Sequence, residues 1–158
     1  MSDSVNRGKQ FEEQIRKGFL KVPDTNVIRL QDPMAGYAGI RNICDFVVYH
    51  HPYQYLIECK SCHGNTLPYT NITDNQYSGL LNVSRIRGIV AGFMIWFIDK
   101  DVTLFVDADC LDVFRKEHDA KSFRFDDRPF NCIEITGQKR RVLFDYDMHD
   151  FIEKIEER

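Results

Sequence analysis

Apolar residues at Phe11, Ile15, Phe19 and Leu20 alternate with charges at the three- and four-residue spacing of a helix, predicted over 7–22. Pro23 and Asp24 end it. A short β-prone run follows at 27–30, and 32–42, with Pro33, Gly36 and Gly39, reads as an irregular loop. β-formers dominate 43–49, His50, His51 and Pro52 interrupt them, and 53–60 resumes the run, so a hairpin is expected. Residues 64–71 read as loop. Thr73 then stands as an N-cap, and Gln76 at the third following position completes a capping box for a helix to about Ile86. The longest apolar run, 89–98, is aromatic and β-branched and is expected as a buried strand, paired with 102–106 across 99–101. A helix from 107 or 108 to 117 comes next, followed by a polar segment. Residues 132–135 and 141–146 suggest a further hairpin around Thr136 and Gly137. The last element, 148–157, carries Phe151, Ile152 and Ile155 on one helical side.

This order places the chain in the α/β class, with a mixed central sheet flanked by helices and a meander portion. At 158 residues the whole chain, 1–158, is expected to form a single domain. No apolar run reaches the roughly 18–20 residues that span a bilayer, and the first residues lack the apolar stretch of a signal peptide. A cytoplasmic location without membrane contact is therefore expected. Five cysteines, an odd number, lack the density of a secreted disulfide scaffold and read as reduced thiols. The net charge of −3 argues against indiscriminate coating of nucleic acid, but it excludes no enzyme whose site is itself a cluster of carboxylates.

Candidate chemistry gathers around the first hairpin. Asp45 lies inside an apolar run, where a lone carboxylate is costly to bury, so a partner or a metal is expected. In Ile57-Glu58-Cys59-Lys60, strand alternation puts Glu58 and Lys60 on one face and Cys59 on the other. If the strands pair, Asp45 approaches Glu58, and two carboxylates beside a lysine make a hard-oxygen site for Mg²⁺, with Mn²⁺ as a substitute. Phosphodiester hydrolysis needs charge neutralisation, an activated water and a stabilised leaving oxygen, and carboxylate-held metal with an ammonium alongside meets those needs. The bland alternative is an exposed ladder of charges on a solvent face.

Cys59-Lys60-Ser61-Cys62-His63 also matches the C-x-x-C-H haem-attachment pattern. That chemistry needs export, and a zinc site needs a second close pair of ligands, which Cys44, Cys110 and Cys132 do not supply. The match reads as coincidence. Basic residues cluster at Arg85 with Arg87, at Lys121, Arg124 and Arg128, and at Lys139-Arg140-Arg141. The last group sits at an expected turn, suited to reach a DNA backbone.

Asp45 followed by Glu58-Cys59-Lys60 resembles the signature of the PD-(D/E)xK nuclease superfamily, and further features resemble the RecU-type Holliday junction resolvases. Asn6-Arg7-Gly8 with Glu12 is similar to the opening motif of that family. The approach from Gly36 through Tyr37 to Asp45, the stretch Lys60-Ser61, Leu67-Pro68, Asn71-Ile72 and Gln76, and the junction 105–109 are similar too. The resemblance covers roughly 6–128 and implies a restriction-endonuclease-like fold. It further implies metal binding by Asp45, Glu58 and the carbonyl of Cys59, a catalytic Lys60, an added carboxylate from Glu12, and Gln76 reaching the site. Arg7 and Lys9 become phosphate contacts beside Lys139, Arg140 and Arg141. Implied partners are a four-way DNA junction and a second copy in a homodimer that nicks two strands symmetrically. The segment 28–45 is shorter than in the longer family members, which insert a projecting stalk there. A restriction-like or repair endonuclease on duplex DNA, and a non-catalytic DNA-binding module on the same scaffold, are the alternatives.

Overall fold

The helical spacing at the start of the chain becomes α1 (Ser2–Leu20), which buries Phe11, Ile15 and Phe19 almost completely. The computed structural model describes residues 2–31 and 42–158, with the backbone alone for 2–5. The irregular loop expected over 32–42, including Tyr37, lies outside the described residues except for Asn42. After α1 come β1 (Thr25–Arg29), β2 (Phe46–His50), β3 (Tyr53–Cys62), β4 (Thr66–Pro68), α2 (Asp74–Ser84), β5 (Ile89–Phe97) and β6 (Val102–Asp107). Then follow α3 (Ala108–His118), β7 (Ser122–Arg124), β8 (Ile133–Glu134), β9 (Gly137–Arg140), β10 (Leu143–Tyr146) and α4 (Met148–Glu156).

The central sheet runs β1-β2-β3-β5-β6-β8. Among the described residues only β3 and β5 pair in parallel, Glu58 beside Phe93, and the other pairs are antiparallel. A parallel pair needs a crossover, and α2 lies on it. This is the mixed sheet flanked by helices that the element order predicts. One face carries Phe46, Val48, Tyr55, Ile57, Cys59, Met94, Trp96 and Phe105, packed on α1 and α4 through Phe11, Ile15, Phe19, Phe151, Ile152 and Ile155. The other carries Ala91, Phe93, Ile95, Leu104 and Val106 under Leu80 of α2 and Leu111 of α3. Strand β5 is therefore covered on both faces, which is why its sequence is continuously apolar rather than alternating. Among the described residues no helix is long and apolar enough to cross a membrane.

Three expectations need correction. The strand expected over 43–49 begins at Phe46, because the Asp45 carboxylate, not a backbone carbonyl, accepts the Cys59 N–H at 2.8 Å and ends the regular ladder. The stretch 64–71 is not all loop: β4 pairs with β7, leading into a 3-10 turn at Tyr69–Asn71. The hairpin of 132–135 with 141–146 does not form. Ile133 pairs with Phe105 at the open edge of β6, where its side chain is buried, and β10 takes β9 as its partner instead. Thr136-Gly137 is accordingly not the turn. The chain reverses between Arg140 and Leu143, where Arg141 has a positive φ of 55°. Strand β9 is exposed throughout, so no alternation marked it in advance.

Candidate active site at the β2–β3 hairpin

The register of β2 on β3 decides the geometry. Phe46 pairs with Ile57, and one step outward Asp45 faces Glu58. With Cys59 turned into the α1–α4 core, Glu58 and Lys60 point to the α2 side of the sheet. Glu58 is only 4% exposed. Its Oε1 accepts from Gln76 Nε2 at 2.7 Å and lies 3.3 Å from Lys60 Nζ. Gln76 also caps its own helix: its Oε1 accepts the Thr73 N–H at 3.1 Å, while Thr73 Oγ1 accepts the Gln76 N–H at 3.2 Å. One amide thus closes the predicted capping box with its oxygen and holds Glu58 with its nitrogen. Asp45, Glu58, Lys60 and Gln76 come together at one place.

The electrostatics follow from burial. The Glu58 carboxyl is pushed up to about 8, first by desolvation and then by the negative charge of Asp45, with Lys60 pulling the other way. Burial raises Asp45 as well, against the Cys59 N–H and the Lys60 charge. Each carboxyl bears on the other's titration, the Asp45 charge raising Glu58, so the pair favours carrying a proton when no cation is near. Full ionisation of such a pair calls for a positive charge at the same place.

That donor set fits a hard divalent ion. It offers two carboxylates, and strand geometry turns the Cys59 carbonyl to the same edge as its N–H, which reaches Asp45. Among the described residues no third acidic, His or Cys side chain completes a metal-sized group. Glu12, on α1 at the other face of the sheet, accepts from Arg29 Nη2 at 2.8 Å. It shares with Asp45, Lys9 and Arg29 a cleft of about 380 Å³.

Arg7 donates to its neighbour Gln10 at 3.2 Å, and Lys9 is exposed at the cleft. Lys139 pairs with Asp101 at 2.7 Å and Arg140 with Asp145 at 3.1 Å, while Arg141 sits at the exposed turn. Exposed ion pairs contribute only about 0–1 kcal/mol, so these cations exchange partners at little cost. Cys59 and Cys62 enter the cores on opposite faces, and His63 pairs with Asp99, so C-x-x-C-H assembles no common ligand set.

Sequence reasoning missed two residues. Arg29 ends β1 opposite Phe46, next to Asp45, and pairing across the sheet edge leaves no local signal. Gly79 of α2 faces Ile43, and a Cβ there would come within 2.8 Å of the Ile43 Cβ. Together with the Asn75 side chain, which donates to the Asn42 carbonyl at 3.3 Å, it brings the Asp45 segment close to α2. A glycine inside a helical run, at a cost of about 1 kcal/mol against alanine, was the available hint.

The sequence matches the family described as RecU, Recombination protein U, over residues 20–150. The chain belongs to the RecU family. The matched region holds Asp45, Glu58, Lys60, Gln76 and the 139–141 cluster, but not Arg7, Lys9 or Glu12, and it extends beyond the range the resemblance had covered. Among solved structures, this RecU-family chain is similar to Hjc, a Holliday junction resolvase of the hyperthermophilic archaeon Archaeoglobus fulgidus. That likeness has 19% identity, covers 65% of this chain and 78% of that one, and has a TM-score of 0.48. No curated protein matches the sequence.

Proposed function

We propose that the chain is a divalent-metal-dependent endonuclease that resolves four-way DNA junctions, working as a homodimer with one site per opposed strand. The single observation that carries the chemistry is the buried Glu58 facing Asp45 across the β2–β3 pair, with Lys60 3.3 Å from Glu58. RecU membership supports the choice of substrate. Asp45, Glu58 and the Cys59 carbonyl would hold Mg²⁺, or Mn²⁺ in its place, with Glu12 a further carboxylate from α1. When bound, the ion supplies charge neutralisation at the phosphate and a more acidic water.

The chain's own residues do the rest. Gln76 orients the Glu58 carboxylate through its Oε1. Lys60 sets an ammonium beside the reacting phosphate, where it orients the attacking water and offsets developing charge. The Cys59 N–H fixes Asp45 in place. Lys9 and Arg7 on α1, with Lys139, Arg140 and Arg141 on the β9–β10 hairpin, provide phosphate contacts that position DNA without reading its sequence. A C₂ dimer presents two such sites with related orientation, which matches paired symmetric nicks.

The test compares four-way, nicked, flap and linear duplex substrates with and without Mg²⁺. Nicking concentrated on the junction and dependent on the metal is expected. Lys60→Ala should lower nicking by roughly 10²-fold or more while junction binding persists. Undiminished cleavage by that variant would eliminate the site, and equal cutting of linear duplex would move the substrate to ordinary duplex DNA.

A further inference from the structure

A second basic feature lies on α3, against the α2 residue that follows Gln76. The Arg115 guanidinium of α3 stands 4.5 Å over the ring of Tyr69 and 5.2 Å over that of Tyr77. Both rings are themselves held. Tyr77 donates its hydroxyl to Asp112 at 2.8 Å, and the other Asp112 oxygen is taken by Lys116 at 2.8 Å. The nearby carboxylate is thus already occupied, and among the described residues none closes an ion pair with Arg115. The Tyr69 ring is 4% exposed and its hydroxyl has no hydrogen-bond partner among the described residues. Two clefts, of about 630 and 500 Å³, open on either side, and Tyr69, Tyr77 and Arg115 line both.

We propose that Arg115, braced between Tyr69 and Tyr77, takes a phosphodiester of the DNA strand beyond the one being cut. A guanidinium stacked on aromatic faces has lost its rotamer freedom before binding, and its fork matches two phosphate oxygens. Thr70 and Ser78 add hydroxyls along one cleft, and Lys121 and Lys116 rim the other. Asp74 and Asp119 also line the clefts and restrict the favourable place for an anion to the Arg115 fork. Tyr77 directly follows Gln76, whose amide holds Glu58, so the first turn of α2 separates the cutting site from the Arg115 fork. A strand leaving the carboxylates across that turn meets Arg115 next.

The assignment rests on the DNA-cutting reading above. Its test is the salt dependence of junction binding, in metal-free buffer, by wild type, Arg115→Gln and Arg115→Lys, with thermal melts alongside. Loss of one phosphate contact should flatten the slope of log K against log salt by about 0.9. It should weaken binding about tenfold, with Arg115→Lys keeping the slope. A lowered melting point with slope and affinity unchanged in Arg115→Gln would overturn the contact and leave a clamp between α2 and α3. Should the Gln variant fail to fold, Arg115→Lys decides: it keeps the charge but loses the stacked fork, so weakened binding is expected and an unchanged affinity overturns the assignment. If nicking still depends on Lys60 while Arg115→Gln binds normally, only this contact falls. If wild type binds no junction, both readings fall.

Discussion

Replacing Glu58 with Gln removes one of two facing carboxylates while keeping size and hydrogen bonding. In the metal-free protein the Glu58 carboxyl is raised from 4.5 to about 8. Its folded form therefore binds a proton more tightly than its unfolded form. The sign follows directly: stability is fully present below the unfolded value and is lost as pH rises through the folded one. At about 1.4 kcal/mol per pH unit, the full loss is on the order of 4–5 kcal/mol, reduced where Asp45 takes up part of the shared proton. Between pH 5 and 7, wild type should thus lose on the order of 2–3 kcal/mol relative to Glu58→Gln, or roughly 5–10 °C in melting temperature. Melts in chelator across that range measure it directly. Saturating Mg²⁺ should reverse the wild-type loss and leave the variant unmoved, because binding to the folded state alone adds stability. A melting gap that stays constant from pH 5 to 8 would refute the reasoning, since it would mean that Glu58 is solvated or fully ionised in the folded protein. The physical content is that the site costs stability so long as its charge is uncompensated, which is what a cation-binding pair requires.

Gln76→Ala and Thr73→Ala separate the cap from the site: each should cost about 0.5–1 kcal/mol of stability in thermal melts, but only Gln76→Ala should slow nicking, about tenfold. Equal nicking rates for the two would reduce Gln76 to a cap. Gly79→Ala places a methyl against Ile43, so despite a helix-propensity gain of about 1 kcal/mol it should destabilise by roughly 1–3 kcal/mol and impair nicking. A higher melting point with intact nicking would show that the Asp45 segment does not depend on that contact.

Much of the α/β layout was readable from local pattern alone. The spacing of Phe11, Ile15 and Phe19, the Thr73–Gln76 box, and Phe151, Ile152 and Ile155 each bear on one helix and its neighbours, and their outcomes follow from the 3.6-residue period. The alternation of Glu58, Cys59 and Lys60 likewise assigned two faces before any tertiary contact was known. Strands β4 and β7 escaped notice because they have three residues each and gain their identity from partners distant in sequence, β9 because it is exposed throughout, and β8, expected within 132–135, took β6 as a partner that no local pattern names. The same applies to Arg29 beside Asp45, to Gly79 under Ile43, and to Arg115 between two tyrosines.

What the chain alone determined is which residues stand as candidates for chemistry and which face each occupies, because side-chain alternation and helical spacing are local properties of the backbone. Only the folded sheet decided that Asp45 stands opposite Glu58, that Gln76 reaches them from α2, and that Glu58 holds its proton to about pH 8. Register and desolvation are sums over distant neighbours, and no window of sequence contains them.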